Sequence, residues 1–188
     1  MAQDMVKINF GCGWEQKLAG WVNVDLKAEA APDVIANLAR DLPFASACAD
    51  FIFTESFIEE LSLAQGRHFL RECRRIMKPD GVMRLLTADL EKFARAYLNE
   101  PDWLVETWDI TTGVPRETSG ACEVVNLGMR LAGTFFYDRP TFRQIAGECG
   151  FRVEEVEYKR SEHAELRDLD IRWPERSISM YFECHPLR

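Results

Sequence analysis

The residues best placed to do chemistry lie in two short segments near the start of the chain, Ile8-Asn9-Phe10-Gly11-Cys12-Gly13 and Val22-Asn23-Val24-Asp25. The first reads as an apolar strand running into a glycine turn. The second reads as a strand ending on a carboxylate twelve residues after Gly13. Glycine permits positive φ and close approach of a ligand to the backbone, and an acidic residue closing the next strand can accept hydrogen bonds from both hydroxyls of a ribose. The pair has the form of a nucleotide site. A glycine turn after a strand is also ordinary turn chemistry, so these segments alone leave both readings open.

The elements that would position such a site alternate strand and helix, the pattern of a parallel sheet covered on both faces. Residues 5–10 and 22–26 form the first two strands, 33–36 a short third, and 50–54 an apolar fourth of the kind buried on both faces. Phe69, Leu70, Cys73, Ile76 and Met77 recur at helical spacing, and Pro79-Asp80-Gly81 reads as the turn that leads into a fifth strand over 82–87. The stretch 89–137 is long for a crossover. It carries a helix over 89–99, a loop holding Trp103 and Trp108, and a helix with Val124, Leu127, Gly128 and Leu131 on one face. Asp138 and Pro140 start another helix, which Gly150 ends. Two strands finish the chain, 151–158 and one in which Ile178, Met180, Phe182 and Cys184 alternate with a polar face; the polar loop 159–176 between them has a length usual for disordered or functional segments.

Composition narrows the classes of function. The 188 residues suit one domain with a full core, and a hydrophobic fraction of 47% is too high for disorder and too interrupted by charge for a membrane span. The first seven residues lack the basic start and apolar run of a signal peptide, which leaves the cytoplasm as the expected compartment. Six cysteines stand 25 to 49 residues apart with no C-x-x-C pair, and the three histidines are not spaced as ligands, so neither a metal site nor a disulfide framework is expected. A net charge of −8 argues against general nucleic-acid binding. Arg67, Arg71, Arg74, Arg75 and Lys78 read as the solvated face of one helix.

A dinucleotide dehydrogenase would carry a third glycine where this chain has Gln16, and a second mononucleotide-binding half in place of two adjacent C-terminal strands. One nucleoside without a pyrophosphate fits better. The chain resembles the class I S-adenosylmethionine-dependent methyltransferases, and within them small bacterial proteins of the methyltransferase type 11 kind. The resemblance rests on the first segment above and on Gly20-Trp21-Val22-Asn23-Val24-Asp25, Pro32-Asp33-Val34-Ile35-Ala36-Asn37-Leu38 and Leu42-Pro43-Phe44. It continues through Glu55-Ser56-Phe57-Ile58-Glu59-Glu60-Leu61, Lys78-Pro79-Asp80-Gly81, Tyr137-Asp138 and Gly150-Phe151.

This resemblance implies an α/β, Rossmann-like doubly wound sheet of seven strands in the order 3-2-1-4-5-7-6, strand seven antiparallel, forming one domain with 89–137 as a substrate-side insertion or lid. The implied cofactor is S-adenosylmethionine, leaving S-adenosylhomocysteine as product. Phe10, Gly11, Cys12 and Gly13 would wrap its methionine and ribose portion, Asp25 would take the ribose hydroxyls, and Leu26 would line the adenine slot. Asn37 and Leu38 follow strand three where the family commonly presents an aspartate to the adenine amino group. Glu55 and Ser56 would lie beside the sulfonium and the amino-acid end. The two histidines of the family's S-H-x-L-E-H-L pattern are Ser56 and Glu60 here, which puts histidine-dependent chemistry in doubt.

Methyl transfer from a sulfonium is an in-line displacement, so positioning is the main requirement, and a base is needed only for a protonated nucleophile. Glu59 and Asp89 follow strand ends on the side where open α/β sheets bind ligands and are the candidate catalytic carboxylates. Both have plainer readings: Glu59 at a helix start, Asp89 as an N-cap. Tyr137 with Phe135-Phe136 could wall a substrate pocket or belong to the core, and Trp103 and Trp108 are lid candidates. The expected acceptor is a small molecule or sugar, with no nucleic acid or membrane partner and the oligomeric state open. A methyltransferase fold that binds without catalysis, and a nicotinamide-dependent oxidoreductase, are the alternatives.

Overall fold

The structure, a computed structural model, describes residues 5–131 and 133–187. Most of the leader segment considered above lies outside the described residues. Seven strands form one sheet: β1 (Lys7–Phe10), β2 (Val22–Asp25), β3 (Val34–Ile35), β4 (Ala49–Glu55), β5 (Met77–Ala88), β6 (Phe151–Glu155) and β7 (Ser179–Pro186). Their order is β3-β2-β1-β4-β5-β7-β6, with β7 antiparallel to both neighbours, as the resemblance implies. The β6–β7 pair stands where a dinucleotide fold would have its second mononucleotide half.

Strand alternation divides the core between the two faces of the sheet. Ile8, Phe10, Ile52, Met83, Leu85 and Phe182 point to one face, against Phe69, Leu70 and Cys73 of α1 (Leu63–Ile76) and Phe142 and Ile145 of α5 (Arg139–Glu148). Helix α1 starts on a capping box, in which Ser62 and Gln65 each bond the other's backbone N–H, and α5 starts on Asp138, which accepts from Thr141 N at 2.8 Å.

The second face is covered by irregular chain. The connection from Phe10 to Val22 carries no helix, and Trp21 and Leu166 pack there on Phe53, Leu86 and Tyr181. Arg84, fully buried on β5, ties the C-terminal loop to this face. All five of its N–H donors are used: Nε on Asp170 at 2.6 Å and Nη2 on the other Asp170 oxygen, with further bonds to Glu183 (3.1 Å) and to the carbonyls of Glu157 (3.0 Å) and Arg160 (2.8 Å). The polar face expected of the last strand is therefore inside: Tyr181 and Glu183 are buried beneath the loop 156–173, and Ser179 is buried as well.

Two other local expectations change. Pro79-Asp80-Gly81 is a bulge within β5, since Met77 pairs with Ala49 and Val82 with Phe51. Proline has no N–H to lose from the ladder, and a Cβ on Gly81 would meet Met77 Cγ at 2.6 Å and the Asp50 carbonyl at 3.0 Å. Trp103 and Trp108 sit on a helix, α3 (Pro101–Thr111), which begins on Pro101. Its buried stripe, Leu104 and Trp108, is too narrow to stand out among Asp102, Glu106 and Asp109. With α2 (Leu90–Asn99) and α4 (Ala121–Leu131), α3 forms a separate apolar cluster that touches Ile178 at the start of β7. Among the described residues, no helix is long and apolar enough to cross a membrane.

Candidate active site

The carboxyl ends of β1, β2, β4 and β5 lie on one side of the sheet, around the point between β1 and β4 where the strand order reverses, the crevice in which open α/β sheets hold ligands. The glycine loop leaves β1 with positive φ at Gly11 (69°) and Gly13 (50°). Gly11 N donates to Val24 O at 2.9 Å, and a Cβ on Gly11 would lie 2.8 Å from Cβ of Phe57, so the loop closes only with glycine there.

Asp25 is held by the loop it serves. Its Oδ2 accepts Gly13 N at 2.8 Å and its Oδ1 accepts Lys27 N at 2.9 Å, which fixes the carboxylate and leaves lone pairs on both oxygens. Beside it stand two exposed apolar side chains, Leu26 and, paired with Asp25 in register, Ile35, each 60% exposed. Asn37 Oδ1 accepts Ala39 N at 3.0 Å and is exposed on the same rim. A fixed acceptor pair next to an unburied apolar ledge fits a ribose joined to a purine.

The remaining cofactor candidates divide. Phe10 and Leu38 are in the core, with only backbone to offer. Cys12 is 2% exposed, and burial raises its thiol pKa, which suits a small filler and not a nucleophile. The Glu55 carboxylate accepts Arg172 N at 2.9 Å, Ile171 N at 3.2 Å and Gln16 Nε2, so it fastens the C-terminal loop to the glycine loop. Alternation along β4 turns it to the face that the loop covers. Ser56, with φ of 52°, lines the cavity described next.

That cavity, of about 540 Å³, opens at the ends of β4 and β5 beneath α2–α4. Phe93, Leu104, Trp108, Val124, Phe136 and Ile178 supply apolar walls; Ser56, Glu59, Glu60, Thr107, Arg172 and Arg176 supply polar groups. Glu59 is 3% exposed, and its Oε2 accepts the Thr87 hydroxyl at 2.8 Å. Its carbonyl accepts Thr134 N at 2.6 Å and Phe135 N at 3.0 Å, which locks the backbone. Burial pushes its pKa up to about 7, outweighing the hydrogen bonds that favour the ionised form. A carboxyl group titrating near neutrality in a cavity wall can take a proton from a bound molecule or return one.

Packing distinguishes the second catalytic candidate, Asp89, and the substrate-side candidates Tyr137, Trp103 and Trp108. Asp89 is fully buried; Oδ1 caps α2 by accepting Glu91 N at 3.0 Å, and Oδ2 pairs with Arg139. Both oxygens are engaged, so it is an N-cap and ion-pair residue. Tyr137 is fully buried against Phe135 and Phe142, and its place in the wall is taken by Phe136, one residue earlier. Trp103 lies off the cavity, its Nε1 donating to Glu175 O at 3.0 Å, whereas Trp108 lines it. Sequence reasoning missed Arg172, Arg176 and the α3 threonines. Only the length of the loop 159–176 and the spacing of Leu104, Thr107, Trp108 and Thr111 hinted at them.

Residues 9–85 match the family described as methyltransferase domain. No curated protein matches the chain in sequence. Among solved structures, an S-adenosylmethionine-dependent methyltransferase from Mesorhizobium loti is similar at 13% identity over 96% of this chain and 90% of its own, with a TM-score of 0.58. Another from Methanosarcina mazei gives 14%, 100%, 94% and 0.58. A Thermotoga maritima protein, described as a possible histamine N-methyltransferase, gives 13%, 97%, 82% and 0.57. At such identities the likeness is one of fold. The match over 9–85 spans the glycine loop, Asp25 and Glu59, and the strand order is that of the methyltransferase Rossmann-like fold.

Proposed function

We propose that this protein transfers a methyl group from S-adenosylmethionine to a small molecule held in the cavity at the ends of β4 and β5. The observation that carries the reading is Glu59, a buried carboxyl group titrating near neutrality in the wall of a cavity that begins at Ser56, next to the ligand crevice of the sheet. Bound S-adenosylmethionine supplies a sulfonium-activated methyl group and leaves as S-adenosylhomocysteine.

In this reading Asp25 takes the ribose hydroxyls, Leu26 and Ile35 pack on the adenine, and Asn37 accepts from its amino group. The backbone of Phe10, Gly11, Cys12 and Gly13 borders the rest of the cofactor. Glu59 accepts the proton of an oxygen or nitrogen nucleophile, and Thr87 keeps its carboxylate oriented. Helices α2–α4 act as the substrate-side cover, with Trp108 and Phe136 against the acceptor. Alignment in a closed site contributes on the order of 7 to 11 kcal/mol to such a displacement.

Isothermal titration with S-adenosylmethionine and S-adenosylhomocysteine tests the first half, with micromolar binding expected. Failure of both to bind, or tighter binding of NAD, removes the proposal. Labelled-methyl transfer across acid, phenol, amine and sugar panels tests the second half. Cofactor binding without turnover on any of them would favour a binding module.

A further inference from the structure

Two arginines of the cavity wall form no ion pair. Arg172 and Arg176 line the cavity, and neither takes part in an ion pair among the described residues. The main chain of Arg172 is fixed on both sides, its N–H on Glu55 at 2.9 Å and its carbonyl accepting the Tyr181 hydroxyl at 2.5 Å. Its Nε is buried with no hydrogen-bond partner. A buried N–H left without an acceptor is costly, and buried polar groups are almost always satisfied. In a chain of net charge −8, the half-buried Arg172 and the more exposed Arg176 give this one cavity a local positive charge.

We infer that the acceptor is an oxyanion, a carboxylate or phosphate on an aromatic body, whose anionic head is held by Arg172 and Arg176 and whose nucleophilic group reaches Glu59. The inference rests on reading the cavity as the acceptor site. The guanidinium fork matches carboxylate and phosphate geometry with paired N–H donors. The walls at Phe93, Trp108 and Phe136 suit a flat apolar body, and about 540 Å³ is within the range of small-ligand pockets. An ammonium acceptor is the competing chemistry, since aromatic walls and Glu60 would suit a cation, but two unpaired guanidiniums repel one. Glu59, with its pKa pushed up to about 7, carries only part of a negative charge at neutral pH and offsets less than one of the two.

The test is binding of matched probes to the intact protein, with and without S-adenosylhomocysteine: 3-(4-hydroxyphenyl)propanoate, its amide, tyramine and phenyl phosphate. The acid or the phosphate should bind about tenfold or more tightly than the amide, as one charge-assisted hydrogen bond would give. Which of the two leads identifies the head group. Arg172→Gln and Arg176→Gln should each reduce the ratio and the double variant should bring it near one, whereas Arg172→Lys should keep part of it. Melting temperatures of the variants confirm that they fold. Equal or tighter binding of the amide, tightest binding of tyramine, no saturable binding of either anion at millimolar concentration, or an unchanged ratio in the double variant would overturn the inference. If the oxyanion preference fails while S-adenosylhomocysteine binds, the methyl-transfer reading stands. If the preference holds while S-adenosylhomocysteine fails to bind, the cavity is an anion site in a protein of another activity.

Discussion

Thr87 on β5 donates its hydroxyl to Oε2 of Glu59 across 2.8 Å, and both side chains are shut off from solvent, at 0% and 3% exposure. A neutral donor stabilises the carboxylate by less than burial destabilises it, so Glu59 titrates near 7 and not in the ordinary carboxylate range.

The stability of the protein should record that titration. Because the folded pKa is raised from 4.5 to about 7, the contribution of Glu59 is fully present below pH 4.5 and is lost as pH rises through 7. Relative to Glu59→Gln, the parent should lose up to about 3 kcal/mol over that window and stay level above it. Urea unfolding of both proteins between pH 4 and 8 measures the difference, and parallel curves would remove the shift. If an acceptor is found, the parent's kcat/KM should rise through about pH 7 and the variant should lack that limb.

Asp25→Asn should weaken S-adenosylhomocysteine binding by about 10- to 100-fold. Both oxygens of Asp25 already accept backbone N–H groups, from Gly13 and Lys27. An amide replaces one acceptor with a donor, which then faces an N–H. Calorimetric titration reads the loss; affinity within threefold of the parent would detach Asp25 from the ribose.

Tyr137→Phe should leave binding unchanged and stabilise the fold by about 1 kcal/mol, because its buried hydroxyl has no hydrogen-bond partner. The same hydroxyl would lie 2.5 Å from a Cβ on Gly66, so Gly66→Ala should be destabilising in the parent and mild in the Tyr137→Phe background. A double-mutant cycle by thermal unfolding isolates the coupling. Loss of probe binding in Tyr137→Phe would return this residue to the cavity wall.

Asp170→Ala should cost about 3 to 5 kcal/mol, since it removes two of the five hydrogen bonds of the buried Arg84 guanidinium and the carboxylate that pairs with it bidentately. The effect should reach the cavity, because the segment 157–170 holds Arg172 in position through Arg84 and through Lys159 N, which donates to Asp170 at 2.7 Å. Hydrogen exchange over 157–173 should speed up before that of β1. Uniform exchange across the chain would mean that the ion cluster does not govern this loop.

What could be read directly from the amino-acid order was local. Gly11 and Gly13 do take positive φ, and Asp25 does end β2, because those conformations depend on neighbouring backbone. Asp89 and Asp138 do cap helices, which is why the plainer reading of Asp89 prevails. An unbroken apolar run marked β4 as buried on both faces, and the match of motifs in order carried the strand order with it.

What tertiary structure decided were pairings between residues far apart in the chain, and choices between adjacent side chains. Arg84 and Asp170 meet across 86 positions, and no pattern in either neighbourhood names the other. Their meeting hides the polar face of β7, which looked solvent-facing. Phe136 and Tyr137 differ by one position, and which lines the cavity follows from the backbone path set where Thr134 N and Phe135 N bond the Glu59 carbonyl. Glu55, read as a cofactor contact, has its carboxylate engaged by Gln16 and two backbone donors, while Glu59, read as a catalytic candidate, has its pKa raised in the cavity wall. The sequence by itself determined where the backbone turns and which strands are buried, since period and φ are local quantities. Which carboxylate is free, and which arginines face the cavity unpaired, was decided only when the loop 156–173 folded over the sheet, because burial and pairing are properties of the packed whole.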